Sequence, residues 1–322
     1  MRCSSSHGAR RLQADGAGLP KILALLAALF MLAGCGTLET AVRVHGGNAV
    51  APGTFEFRDG QRSVYYEFRL HADAGIPDTA IFLIGGSGCA SWQIAIPHYF
   101  QGFSRPAHVF ALNKRHVEDR SLGILPCSTQ FHEHNNLEQW VADYGEIMRA
   151  KLDSLQPRPK HVVLFGGSEG ALPASVLAAN SGLVTHLALM GFGGWSILQS
   201  VDHMATGYAY EPHSRDILKT IAAGPMSLKD EMHGNPYRWW TQVAGFNPMP
   251  VLESLTMPIF VGMGEKDTNV APASALALGQ RFRELGKTNL RVTIYPGADH
   301  ILRAAGKTYR DDYFGALAQS IK

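Results

Sequence analysis

The sequence predicts an α/β fold: a mostly parallel central sheet flanked by helices, interrupted late in the chain by a helical insertion. Three observations carry this expectation. Short runs of aliphatic and β-branched residues are apolar on both faces, which marks strands buried on two sides. Helical patterns fall between several of these runs, the βαβ rhythm of a parallel sheet. The 322 residues, 46% hydrophobic and 17% charged, suffice for one large core and exclude a disordered or coiled-coil chain. The formal charge of +2, with no strongly basic run, argues against nucleic acid as a partner, because phosphate binding needs a concentrated cationic face.

The first 34 residues read as an address. Arg10, Arg11 and Lys21 precede an apolar run from Ile22 to Leu32, too short to span a bilayer but suited to the core of a signal peptide. Leu32-Ala33-Gly34-Cys35 resembles a bacterial lipobox, which implies that Cys35 is lipidated and becomes the mature N-terminus. An ordinary cleaved signal or an uncleaved anchor is the competing reading. Gly36, where an Asp is absent, resembles lipoproteins passed to the outer membrane, so the expected location is the bacterial cell envelope, facing the periplasm. Removing residues 1–34 takes away Arg2, Arg10, Arg11 and Lys21 but only Asp15 among the acids, leaving a nearly neutral chain. Residues 35–53 then form a flexible tether. Of the four cysteines, Cys3 leaves with the signal and Cys35 carries lipid; Cys89 and Cys127 remain as a pair able to bridge where disulfides persist.

Two alternating segments, Thr54 to Asp59 and Ser63 to Leu70, flank Gly60 as a hairpin that opens the sheet. The buried strands follow at Ala80 to Ile84, Val109 to Leu112, His161 to Phe165, Val184 to Met190, Ile259 to Met263 and Leu290 to Tyr295. Leu137 to Leu155 places Leu137, Val141, Tyr144, Ile147, Met148 and Leu152 near one helix face, and Ala171 to Ala179 and Pro272 to Leu285 are further helices. Residues 193–255 break the rhythm with Trp195, Trp239, Trp240, irregularly spaced histidines and several prolines. They are expected to form a mostly helical cap over one end of the sheet, a separate small domain being the alternative. The core is then residues 54–192 and 256–322.

Chemistry is concentrated on the loops that leave these strands. His161 to Phe165 runs into Gly166-Gly167-Ser168-Glu169-Gly170 and then a helix. This is G-x-S-x-G in the strand, tight turn, helix context that holds a serine exposed at a turn. A serine hydroxyl is a poor nucleophile near neutral pH and needs a base and an orienting acid. His300, in the loop after Leu290 to Tyr295, has the position of the base. Asp267, in Gly264-Glu265-Lys266-Asp267 directly after Ile259 to Met263, is the preferred acid; Glu265 is its nearest competitor, while Asp299 adjoins His300 too closely to reach the far ring nitrogen. Two amides are expected to hold the oxyanion of a tetrahedral intermediate: that of Glu169, at a helix start, and that of Ser87 in Gly85-Gly86-Ser87-Gly88. The Glu169 side chain is either a solvated first-turn residue or a binder of substrate cations, and is expected to point away from the oxyanion. His132-Glu133-His134 lacks a third and fourth ligand, so no metal is expected. Trp239 and Trp240 either wall an apolar pocket or anchor the cap.

Gly85-Gly86-Ser87-Gly88, the Ser168 pentapeptide, Asp267 and His300, in that order, resemble the α/β-hydrolase superfamily over nearly all of residues 54–322. The resemblance implies that superfamily's fold and a serine hydrolase cleaving a carboxylic ester or amide through an acyl-enzyme, with no metal or organic cofactor. A weaker resemblance, from Asn135-Asn136-Leu137 through Asp143, the Gly-Gly-Ser of the elbow and the cap, is to proline iminopeptidase-like proteins. Those carry Trp after the nucleophile and Asp-Gln-Arg-Gly after an earlier strand, where this chain has Glu169 and Asn113-Lys114-Arg115-His116, and none of Glu211, Asp216, Asp230 or Glu231 is assigned to a peptide amino group. An acyltransferase using the same triad and a non-catalytic envelope binding protein are the alternatives.

Overall fold

The computed structural model describes residues 50–322 except 95, 124–125, 206–213 and 233–234. The expected signal peptide, Cys35 and most of the tether lie outside them.

An eight-stranded sheet forms the centre, made of β1 (Pro52–Glu56), β2 (Arg62–Leu70), β3 (Thr79–Ile84), β4 (Ala107–Leu112), β5 (His161–Gly167), β6 (His186–Met190), β9 (Ile259–Gly264) and β10 (Leu290–Tyr295). Their spatial order is β1-β2-β4-β3-β5-β6-β9-β10; β1–β2 and β2–β4 are antiparallel and every later pair is parallel. The first strand begins at Pro52, so residues 52 and 53 belong to the sheet and not to a tether; the antiparallel ladder from Pro52↔Tyr66 to Glu56↔Arg62 holds them.

Every residue of β3, β4 and β9 is buried. Alternate side chains go to opposite layers: Ala80, Phe82 and Ile84 join one apolar cluster, Ile81 and Leu83 the other. On the first side the sheet is covered by α3 (Leu137–Ser154), α4 (Ala171–Asn180) and α9 (Pro272–Glu284), through residues such as Ile147, Leu177 and Leu278. On the other, the short α1 (Ile96–Tyr99) and α10 (Arg310–Ser320) bring Tyr99, Phe314 and Leu317 against Phe165. The helix starts follow local chemistry. The Ser128 side chain caps α2 (Thr129–His134) by accepting from the Phe131 amide, Asn136 caps α3 through the Gln139 amide, and Pro272 opens α9.

Between β6 and β9 the chain forms α5 (Ile197–Ala205), α6 (Ser214–Ile221), the two-stranded β7–β8 hairpin (Glu231–Met232 and Asn235–Pro236), α7 (Tyr237–Ala244) and α8 (Pro248–Ser254). Trp239, Trp240, Val243 and Ile217 from this stretch are buried in the same cluster as α4, so it packs on the core layer beside the elbow. A last small hairpin, β11–β12 (Arg303–Ala304 and Lys307–Thr308), precedes α10. Among the described residues no helix is long and apolar enough to cross a membrane. Because strands β3, β5, β6, β9 and β10 run parallel, the loops after Ile84, Gly167, Met190, Gly264 and Tyr295 all emerge at one edge. Ligand sites of open α/β sheets form at that carboxyl edge.

Candidate active site

Ser168 follows β5, near the middle of the sheet, and starts the turn that leads into α4. Its φ is +53°, in the left-handed region where a side chain costs backbone energy. Such a conformation reverses the chain within a residue and leaves the hydroxyl at the rim. The loop after β3 lies directly against it: a Cβ placed on Gly86 would stand 3.3 Å from Ser168 Cβ. That closeness brings the loop bearing Ser87 against Ser168, and both serines line the same cleft as Glu169.

Asp267 and His300 meet across the same edge. His300 Nδ1 lies 2.7 Å from Asp267 Oδ2, and the Asp267 side chain is fully buried whereas that of His300 is 15% exposed. The other carboxylate oxygen, Oδ1, accepts from the amides of Asn269 at 2.8 Å and Val270 at 2.9 Å. With both oxygens committed, the carboxylate has one place to be. A carboxylate can only accept at that distance, so Nδ1 carries the proton and Nε2 is left as the acceptor.

The competitors have other work. Glu265 Oε2 accepts the Gly297 amide at 2.8 Å and so pins the histidine loop to the β9 loop. Asp299 accepts from the amides of Ile301 and Arg303 and pairs with the Arg303 side chain.

Register brings the loops of Ser168 and His300 to the same stretch of the edge: Gly167, just before Ser168, is aligned with Met190, just before Gly191. The His300 ring rests on Gly191: a Cβ there would lie 2.7 Å from His300 Cε1. Gly191 also has φ +61°. Both facts require glycine, and Gly191 is a site residue the sequence reading missed; its signal was a strand ending in Met190-Gly191-Phe192-Gly193-Gly194. Ser168 Oγ makes no hydrogen bond to the imidazole in this structure.

Above Ser168 opens a cleft of about 580 Å³. Its walls are chiefly apolar, with Leu172, Phe192, Trp195, Val201, Trp239 and Trp240 among them. Trp239 and Trp240 are buried, so they both wall the cleft and anchor the segment that bears them. The Glu169 carboxylate is neither solvated nor free. Its Oε1 accepts a hydrogen bond from Trp239 Nε1, and its Oε2 lies 3.6 Å from Lys114 Nζ. Burial lowers the Lys114 pKa to about 8, against the opposing pull of Glu169.

Elsewhere the structure joins Cys89 to Cys127 by a disulfide with a Cα separation of 5.8 Å. The histidines of His132-Glu133-His134 part company. His132 Nε2 is 4.0 Å from Glu231, whereas the His134 ring packs on that of His116 at 4.9 Å. Among the described residues no group of three metal-ligating side chains converges.

A model of the prolyl oligopeptidase family matches residues 193–315, a stretch that takes in Asp267 and His300 but not Ser168. The sequence matches no protein of curated function. Among solved structures, the chain is similar to Est1E from Butyrivibrio proteoclasticus, with a TM-score of 0.55 and 11% identity over 84% of this chain and 97% of that one. It is similar also to the Pyrococcus furiosus esterase Pf2001, with a TM-score of 0.53 and 14% identity over 84% and 90% of the two chains. A lipase in its open form gives a TM-score of 0.57 and 16% identity over 84% and 97%. Sheet order and these likenesses agree: the chain has the α/β-hydrolase fold.

Proposed function

We propose that the protein is a serine hydrolase that cleaves carboxylic esters, or amides of similar shape, through an acyl-enzyme. The observation that carries this reading is His300 held by the buried Asp267 at the same sheet edge as a serine in left-handed conformation. In the proposed cycle Ser168 Oγ attacks the substrate carbonyl while His300 Nε2 takes its proton. Asp267 holds the opposite ring nitrogen and stabilises the imidazolium that forms. The amides of Ser87 and Glu169 donate to the oxyanion, where fixed donors act most strongly because they need no rearrangement. His300 then gives the proton to the leaving group, and water repeats the sequence to release the acid.

The aromatic and aliphatic walls of the cleft favour an apolar, uncharged acyl group. The esterase and lipase neighbours support the reaction class and leave the substrate open. The proline iminopeptidase-like reading draws no support from the cleft, whose carboxylate is already engaged.

The experiment is Ser168→Ala. Hydrolysis of p-nitrophenyl esters and labelling by a fluorophosphonate should both vanish while circular dichroism is unchanged. Undiminished labelling would place the nucleophile elsewhere.

The proposal includes attachment to the bacterial envelope through lipid on Cys35, supported by the Leu32-Ala33-Gly34-Cys35 motif. The Cys89–Cys127 bridge suits the oxidising compartment that such a location implies. Cys35→Ser should move the protein from the membrane fraction to the soluble one; an unchanged distribution would remove the anchor.

A further inference from the structure

Behind the floor of the cleft lies a buried cation. Lys114 follows β4, its side chain is 10% exposed, and its Nζ sits 3.7 Å from the centre of the Trp140 ring and 5.5 Å from that of Phe131. No hydrogen-bond acceptor reaches it. Its neighbours fix it there. The Asn113 amide donates to the Val64 carbonyl, and Arg115 forks onto both oxygens of Asp143. The groups facing Lys114 are Glu169 from the elbow and His132 from α2; α3 presents the Trp140 ring.

Burying an ion pair returns little stability compared with apolar side chains of the same volume. The pair has a clearer consequence for the cleft. Among the described residues lining it, Glu169 is the one ionisable side chain, and it adjoins the nucleophile in sequence. Left alone, a carboxylate in an apolar wall would draw in cationic groups strongly, since little water screens it.

We propose that Lys114 is a specificity-determining residue: it cancels the charge of Glu169 from behind, while Trp239 Nε1 occupies the other oxygen, so that the cleft takes neutral acyl groups and rejects those bearing an ammonium. This rests on the cleft above Ser168 being the acyl site. Lys114 and Glu169 lie 55 positions apart in the sequence and meet in space as partners.

The test compares p-nitrophenyl butyrate with the p-nitrophenyl ester of 4-(trimethylammonio)butyrate, whose charge is permanent. The unaltered protein should favour the neutral ester at least tenfold in kcat/KM. Lys114→Met keeps an unbranched apolar stem against Trp140, one atom shorter and without the charge, which uncovers the carboxylate and should shift the ratio at least tenfold toward the charged ester, chiefly through KM. Glu169→Gln still accepts from Trp239 and should gain nothing for the charged ester; the double variant should return to the original preference. An unchanged ratio in a folded Lys114→Met protein would overturn the proposal.

Should that variant not fold, the unaltered protein supplies the same test. Burial beside Trp140 and Phe131 lowers the Lys114 pKa to about 8, so raising the pH from 7 to 9 should uncover the Glu169 charge and move the ratio severalfold toward the charged ester, the titration common to both substrates cancelling. A ratio flat with pH overturns the proposal equally. Full activity with no such shift removes this inference alone, whereas absence of both turnover and fluorophosphonate labelling removes the reading of the site beneath it.

Discussion

Asp267 does two jobs with two oxygens, and substitutions can separate them. Asp267→Asn retains an acceptor for the Asn269 and Val270 amides but turns an NH₂ group toward His300 Nδ1. The ring must then carry its proton on Nε2, the wrong atom to accept one from Ser168. We expect kcat to fall by about 10⁴ with the melting temperature little changed. Asp267→Ala should lose as much activity and also orphan two amides, at about 1–3 kcal/mol each. Stopped-flow or steady-state kinetics beside thermal melts would distinguish the two variants; an active Asp267→Asn enzyme would transfer the acid role to another residue. Gly191 tests the base from the other side. Gly191→Ala places a methyl where the His300 ring rests, and a displacement of about 1 Å is enough to cost around 10² in rate. The loss should fall on kcat with KM nearly constant, and an unaffected kcat would mean that the ring has room to spare.

The elements most legible in the sequence were those with a single physical cause. Strands β3 and β9 stood out because apolar residues on both faces leave no amphipathic alternative; β5 runs two residues beyond the expected end at Phe165, to Gly167, and β10, at the sheet's edge, alternates, with Arg291 exposed. The start of β1 at Pro52 was missed because Pro and Gly in Ala51-Pro52-Gly53 read as tether, whereas the ladder to β2 overrides that local preference. The sequence left the pairing of Cys89 with Cys127 open, and the structure joins the loop after β3 to the segment that leads into the helix capped by Ser128. Ser121 adds a second tie, donating to the Cys89 carbonyl at 2.9 Å. The bridge closes a loop of 38 residues in sequence, so opening it should lower unfolding free energy by about 2–4 kcal/mol. Urea denaturation of the double variant Cys89→Ser, Cys127→Ser against the oxidised protein measures this directly. A midpoint that does not move would show that packing around Val117 and Phe131 suffices there.

For the molecule as a whole, the meeting of Asp267 with His300 at the edge that also carries Ser168 was readable because each stands on a loop leaving a strand, a relation that order along the chain preserves. The Lys114–Glu169 contact was not, because it joins two loops 55 positions apart and neither residue carries a local signal for the other. The same limit hid a charge cluster at the opposite, amino edge of the sheet, where stability and catalysis can be told apart. His186 opens β6, is 7% exposed, bonds Thr185 Oγ1 at 2.9 Å and lies 5.8 Å from the ring of His161. Burial, reinforced by His161 and Arg105, pushes its pKa down to about 4. An unfolded chain would hold that histidine near 6.5. Between these values the unfolded state binds the extra proton, so the neutral ring's contribution is whole above pH 6.5 and is lost as pH falls toward 4. The difference corresponds to up to about 3 kcal/mol. Chemical denaturation of the unaltered protein at pH 7.5 and pH 4.5 should therefore show a steep loss that His186→Gln flattens. Because His186 lies at the edge away from Ser168, esterase kcat at pH 7.5 should be the same in both proteins. A variant that keeps the full acid loss would assign it to other groups, such as His108 and His132, whose pKa values burial also lowers.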